Sequence, residues 1–165
     1  MNRMRMLMAM AMAAVLSAAL PADAQERALP AFEVQAPSGQ AVASSALAPQ
    51  EKWLLIYVSS GCRACETLVR ALPKWQSAAL LGRTVLVVGG APEAAAAWVQ
   101  RLVTPELPTM LWYGDASREA EQALALSGAP VLIGVQKGEV EWQLSGVLNS
   151  PAALESVIRS WVERP

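Results

Sequence analysis

The chain contains no histidine and only two cysteines. Without histidine there can be no Ser-His-Asp or Cys-His catalytic arrangement and no histidine metal cage. With two cysteines and no imidazole, a zinc or copper site lacks two soft ligands, so neither a metal nor an organic cofactor is implied. Charge is also scarce. Charged residues make up 16% of the chain, the formal net charge is −1, and no run of like charge occurs. That leaves no electrostatic case for nucleic acid or an anionic membrane as partner. Repeats, low-complexity linkers and signs of a second domain are absent as well. The 165 residues suffice for one domain with a proper core.

Both cysteines lie in one stretch, Val58-Ser59-Ser60-Gly61-Cys62-Arg63-Ala64-Cys65-Glu66. An apolar run, 53–58, precedes it and a helical pattern, 66–75, follows. Strand, glycine turn, Cys-x-x-Cys and helix is the arrangement of a dithiol redox site. Cys62 falls at the first turn of the helix. Free N–H groups and the helix dipole there favour the thiolate, and Arg63 adds a positive charge beside it. Cys62 is therefore the expected attacking sulfur, and Cys65, one turn further in, the resolving one. A structural disulfide is the alternative, but closing a four-residue ring contributes only about 2 kcal/mol in the chain-entropy model.

The N-terminus reads as an export signal. Arg3 and Arg5 precede an apolar stretch, 6–20, broken by Pro21, and Ala22-Asp23-Ala24 fits a small-x-small cleavage site. The stretch is short of the roughly 20 residues that span a bilayer. No cysteine near position 25 offers a lipid anchor. Residues 1–24 are the expected signal peptide, 25–165 the mature domain, and the periplasm the expected location. That compartment is oxidising, so the pair will be a disulfide unless something reduces it.

After the signal, 29–34 and 40–43 flank Pro37-Ser38-Gly39 as a short hairpin. The run 53–58 is expected to be a central strand buried on both faces. Leu68, Val69, Leu72 and Trp75 line one helix face, and Pro73 should kink that helix. A second buried strand is expected over 84–88, a helix over 93–102 and a third strand over 109–113. Ser117 is the expected N-cap of a helix running to Leu126. Strands 131–135 and 140–144 should pair around Lys137-Gly138, and Ser150-Pro151 should open a last helix to Val162. Alternating strands and helices imply right-handed βαβ units ending in a hairpin and a helix. The six tryptophans are expected in or at the edge of the core.

In two segments, WLLIYVSSGCRACETLVRALPKW and GAPVLIGVQKGEVEWQLSGVLNSPAALESVIRSWV, the chain resembles the thioredoxin fold. The extension FEVQAPSGQAVASSAL and the strand-helix material between them resemble the TlpA-like branch of thiol-disulfide oxidoreductases, many of which serve cytochrome c maturation. The resemblance implies a three-layer α/β fold: a central mixed sheet, an N-terminal hairpin extension and a βαβ insertion. It implies a cis Pro130 after Ala129, facing the Cys pair and pairing with an extended substrate segment. Pro108 is a rival for that position. It further implies a protein disulfide client and a membrane electron donor of the DsbD/CcdA type.

The chain departs from the family pattern at the site. Gly61 replaces the usual Trp, and Arg63-Ala64 replaces a Pro-containing dipeptide. The family's buried Asp and helix Glu correspond to Ile56 and Leu68, so no proton acceptor for Cys65 is identified, and Glu66 should point outward. The expected substrate-binding residues are Gly61, Arg63, Ala129 and Pro130. A reductase of client disulfides is the first reading, and an oxidant of the same fold the second. A binding module with a little-used disulfide is the third, and a peroxidase, for which Ser59-x-x-Cys62 is a poor motif, the fourth.

Overall fold

A computed structural model of the chain describes residues 28–75, 78–102, 110–146 and 151–164. The first hairpin is β1 (Glu33–Gln35) and β2 (Ala41–Ala43), antiparallel around a turn where Gly39 takes φ +84°. Next come β3 (Lys52–Ser59), α1 (Arg63–Ala71), a 3-10 turn at Leu72–Lys74, and α2 (Ala78–Leu81). β4 (Thr84–Gly89), α3 (Pro92–Leu102) and β5 (Leu111–Asp115) follow, so β3 to β5 form two successive βαβ steps that share β4. The chain ends with α4 (Glu119–Ala123), β6 (Val131–Gln136), β7 (Glu139–Ser145) and α5 (Pro151–Glu163).

The seven strands make one mixed sheet in the order β2-β1-β5-β4-β3-β6-β7. β3 lies parallel to β4 and antiparallel to β6, and β4 lies parallel to β5. The continuous apolar run at 53–58 is explained by this placement, because alternate side chains enter different cores. Leu54, Ile56 and Val58 pack on one face with Leu68 and Val69 of α1, Trp98 of α3 and Ile158 of α5. Trp53, Leu55 and Tyr57 pack on the other with Phe32, Leu47 and Ala120. Leu54, Leu55, Ile56 and Val58 have no exposed surface. Each such side chain stabilises the fold by roughly 1.5–3 kcal/mol. Four tryptophans (53, 75, 98 and 161) are buried, and Trp112 and Trp142 are partly so.

Three expectations need correction. Pro73 does not kink a continuing helix. It has no N–H for the Val69 carbonyl, which takes the Leu72 N–H instead, and the chain tightens into the 3-10 turn. The third strand runs two residues beyond 113, because Gly114 and Asp115 pair with Val88 and Gly89. Ser117 does not cap α4. Arg118 stands at the cap position with φ +63° and makes no side-chain cap bond. Asp115 reaches forward and accepts from the Ala120 N–H at 3.2 Å and the Glu121 N–H at 3.1 Å.

Register sets the location of the site. Ser59 pairs with Gly89, and Gly89 with Asp115, so β3, β4 and β5 end together. Ligand crevices in open α/β sheets form beyond the carboxyl ends of parallel strands.

Candidate active site

β3 ends at Ser59, whose carbonyl accepts the Cys62 N–H at 3.0 Å, and this turn delivers Cys62 to the N-cap of α1. Cys62 and Cys65 are joined as a disulfide, with Cα atoms 5.2 Å apart. The two sulfurs have different surroundings. Cys65 is completely buried among Ile56, Leu68 and Val69, whereas Cys62 is only partly buried. Cys62 Sγ accepts from the Cys65 N–H at 3.0 Å and lies 3.5 Å from the Ala129 carbonyl oxygen. In the reduced state the amide and the helix N-terminus favour a Cys62 thiolate, while the carbonyl oxygen favours a thiol that donates to it.

Of the residues nominated from sequence, Gly61, Cys62, Cys65 and Ala129 come together. The Ala129–Pro130 peptide is cis, and the Pro130 carbonyl accepts the Gly146 N–H at 2.8 Å. Arg63 is exposed on the first turn of α1. Pro108 lies outside the described residues. Glu66 is turned outward into an ion pair with Arg101 at 2.8 Å. Gly61 is exposed, and a Cβ there would meet nothing within 4 Å, so its missing side chain leaves open space beside Cys62.

That space is a cavity of about 770 Å³. Gly61, Cys62 and Ala129 line it together with Tyr57, Arg118 and Glu121. The polar wall is a connected network that the sequence reading did not find. Tyr57 Oη donates to Asp115 Oδ2 at 3.1 Å and also approaches Glu121 Oε2 at 3.4 Å. Arg118 donates to both Glu121 oxygens, Nε at 2.8 Å and Nη2 at 2.7 Å. Burial, reinforced by the Asp115 carboxylate, pushes the Tyr57 phenol far above its ordinary value. The Arg118 hydrogen bonds hold Glu121 below the usual carboxylate range, and Glu121 in turn raises Arg118. The sequence signal for this network was one tyrosine within the apolar run of β3 and one aspartate closing β5. Only the sheet register puts them together.

Buried polar or charged residues among those described are Ser44, Thr84 and Asp115. Asp115 serves the Tyr57 face, opposite the one that holds Cys65. Among the described residues, no group of three or more His, Cys, Asp or Glu is placed to hold a metal ion.

No protein-family model and no curated protein matches the chain. Solved structures do. A secreted Mycobacterium tuberculosis disulfide oxidoreductase homologous to E. coli DsbE is 15% identical, with a TM-score of 0.62 over 78% of this chain and 95% of that one. The exposed lipoprotein thioredoxin Etrx1 of Streptococcus pneumoniae is 16% identical, with a TM-score of 0.60 over 79% and 98%. A thiol peroxidase of Chromobacterium violaceum is 15% identical, with a TM-score of 0.59 over 84% and 87%. These likenesses show that the chain has the thioredoxin-like fold expected from its sequence.

Proposed function

We propose that this protein is a thiol-disulfide oxidoreductase working outside the cytoplasm, with Cys62 attacking and Cys65 resolving. The observation that carries the reading is the asymmetry of the pair. Cys62 Sγ sits at an N-cap on a cavity wall, while Cys65 is wholly buried one turn further in. The Cys62 thiolate attacks a client disulfide, one client sulfur leaves and takes up a proton, and a mixed disulfide remains. The Cys65 thiolate then attacks Cys62 Sγ, the second client sulfur leaves as thiol, and Cys62–Cys65 is oxidised. Two electrons have passed from the dithiol to the client. The Ala129-Pro130 loop, next to Cys62, positions an extended client segment, with Gly61 and Arg63 flanking it.

Reduction of client disulfides is the direction we favour, with regeneration by a membrane dithiol donor of the DsbD/CcdA type and cytochrome c maturation as one use. Export rests on the signal pattern of residues 1–24, leaving 25–165 in the periplasm. Solved structures of the same fold include a secreted oxidoreductase and an exposed lipoprotein. Among the described residues, no helix is long and apolar enough to cross a membrane. An oxidant reading draws on a second observation: among the described residues, no buried carboxylate lies on the Cys65 face to take up its proton. The reduction potential of the pair decides between them. Equilibration with dithiothreitol or glutathione buffers should give about −250 mV or below for a reductase, and around −120 to −150 mV makes it an oxidant. Negligible reaction even with small thiols would sink both.

A further inference from the structure

We propose that the cavity beside Cys62 is a substrate site for a small zwitterionic disulfide, an amino-acid disulfide of the cystine class. The proposal rests on the redox reading of Cys62 and Cys65 and names a substrate for it. At about 770 Å³ the cavity is within the range of small-molecule sites, roughly 300–1,000 Å³. The attacking sulfur forms part of its wall, and Gly61 adds no side chain to fill it. Much of the lining is glycine and alanine, including Gly89, Gly90 and Ala116. Gly89 is required there, because a Cβ would overlap the Tyr57 hydroxyl.

The same lining holds one cation and one anion, side by side. Arg118 and Glu121 are bonded at 2.7 and 2.8 Å, with side chains 65% and 27% exposed. Arg118 is mostly exposed, so water screens the pair and its remaining N–H groups stay open to a ligand, while Glu121 keeps lone pairs free beyond the two it gives Arg118. The α-carbon of a free amino acid carries the complementary pair, a carboxylate for the guanidinium and an ammonium for the carboxylate. A cysteine inside a protein chain carries neither, because both groups are amides. The wall is also braced. Asp115 holds the Glu121 N–H and the Tyr57 hydroxyl, and that hydroxyl touches Glu121 Oε2.

The chemistry balances without further groups. The Cys62 thiolate attacks one sulfur of the amino-acid disulfide, one amino-acid thiolate leaves and is protonated, and Cys65 then releases the second. Two thiols and the Cys62–Cys65 disulfide result, and a dithiol donor resets the protein.

The test is single-turnover oxidation of the dithiothreitol-reduced, desalted protein by four disulfides: cystine, cystamine, 3,3′-dithiodipropionate and bis(2-hydroxyethyl) disulfide. Each rate is divided by that of free dithiothreitol with the same disulfide, which removes intrinsic reactivity. The expected result is cystine ahead of the neutral disulfide by about tenfold, with the two singly complementary compounds behind cystine. In Arg118→Gln and Glu121→Gln the cystine-to-neutral ratio should fall by about the same factor. Equal normalised rates in the wild-type protein, or a ratio unchanged in both variants, overturn the proposal. If none of the four disulfides oxidises the protein, the redox reading falls and takes this one with it. A reaction that ignores charge removes only the cystine site.

Discussion

A reduced Cys62 sulfur would have an amide N–H on one side and the Ala129 carbonyl on the other, while Cys65 is sealed beneath it. Replacing the resolving sulfur should therefore trap the reaction halfway. Cys65→Ser should accumulate mixed disulfides through Cys62 on non-reducing gels, and Cys62→Ser should form none. The reverse pattern would exchange the two roles. Tyr57 gives a second expectation. Its phenol is raised in the folded protein, so the stability it contributes is complete below its unfolded value, near 10, and is lost as pH rises above it. Urea midpoints from pH 9 to 11.5 should show the gap between wild type and Tyr57→Phe shrinking as pH rises; a constant gap refutes this. At the residue scale the cysteine pair was legible because its chemistry lies within four positions. Tyr57 and Asp115 were not, because the hydrogen bond that gives them meaning spans 58 residues.

Elements were legible where apolar pattern and length agree. β3 stands out in sequence because both of its faces are buried, and α5 because Leu154, Ile158 and Trp161 recur at helical spacing on a buried face. α4 was misplaced at both ends, since it stops at Ala123 rather than Leu126 and starts later than expected. A serine two residues ahead looks like a cap, but the carboxylate of Asp115, still in the strand, holds the first turn. Asp115→Ala strips partners from two amides and a buried phenol together. It should cost about 1–3 kcal/mol, with Asp115→Asn costing less because its one remaining oxygen still accepts. Urea unfolding measures both, and equal losses would show that the side chain fills space rather than accepts hydrogen bonds. Pro73 was read as a kink because a helical pattern continues to Trp75. The missing N–H ends the helix instead.

The whole molecule is held by its two apolar cores rather than by its disulfide. Cys62–Cys65 closes a ring of four residues, so opening it removes only about 2 kcal/mol from stability in the chain-entropy model. Dithiothreitol should lower the urea midpoint by on the order of 1 M and leave the transition cooperative. Collapse of the transition on reduction would make the bond structural. The fold class was legible because strand and helix patterns alternate in the order that a parallel core demands. The charged part of the cavity lining was not, because it joins Cys62 only once β3, β4 and β5 end in register.

The position of β3 between β4 and β6 has a consequence for the order of events as the chain is made. Its parallel neighbour follows closely in sequence, but its antiparallel one, and the α5 residues that cover the same face, come only with the last third. Until then one edge of β3 stays open and Leu54 and Ile56 lack part of their cover. The two cysteines, three residues apart, can pair locally throughout that interval. Once an oxidant is met, the bond can thus form from the local chain alone, whereas the contact between Cys62 and the Ala129 carbonyl waits for the last third of the chain to fold.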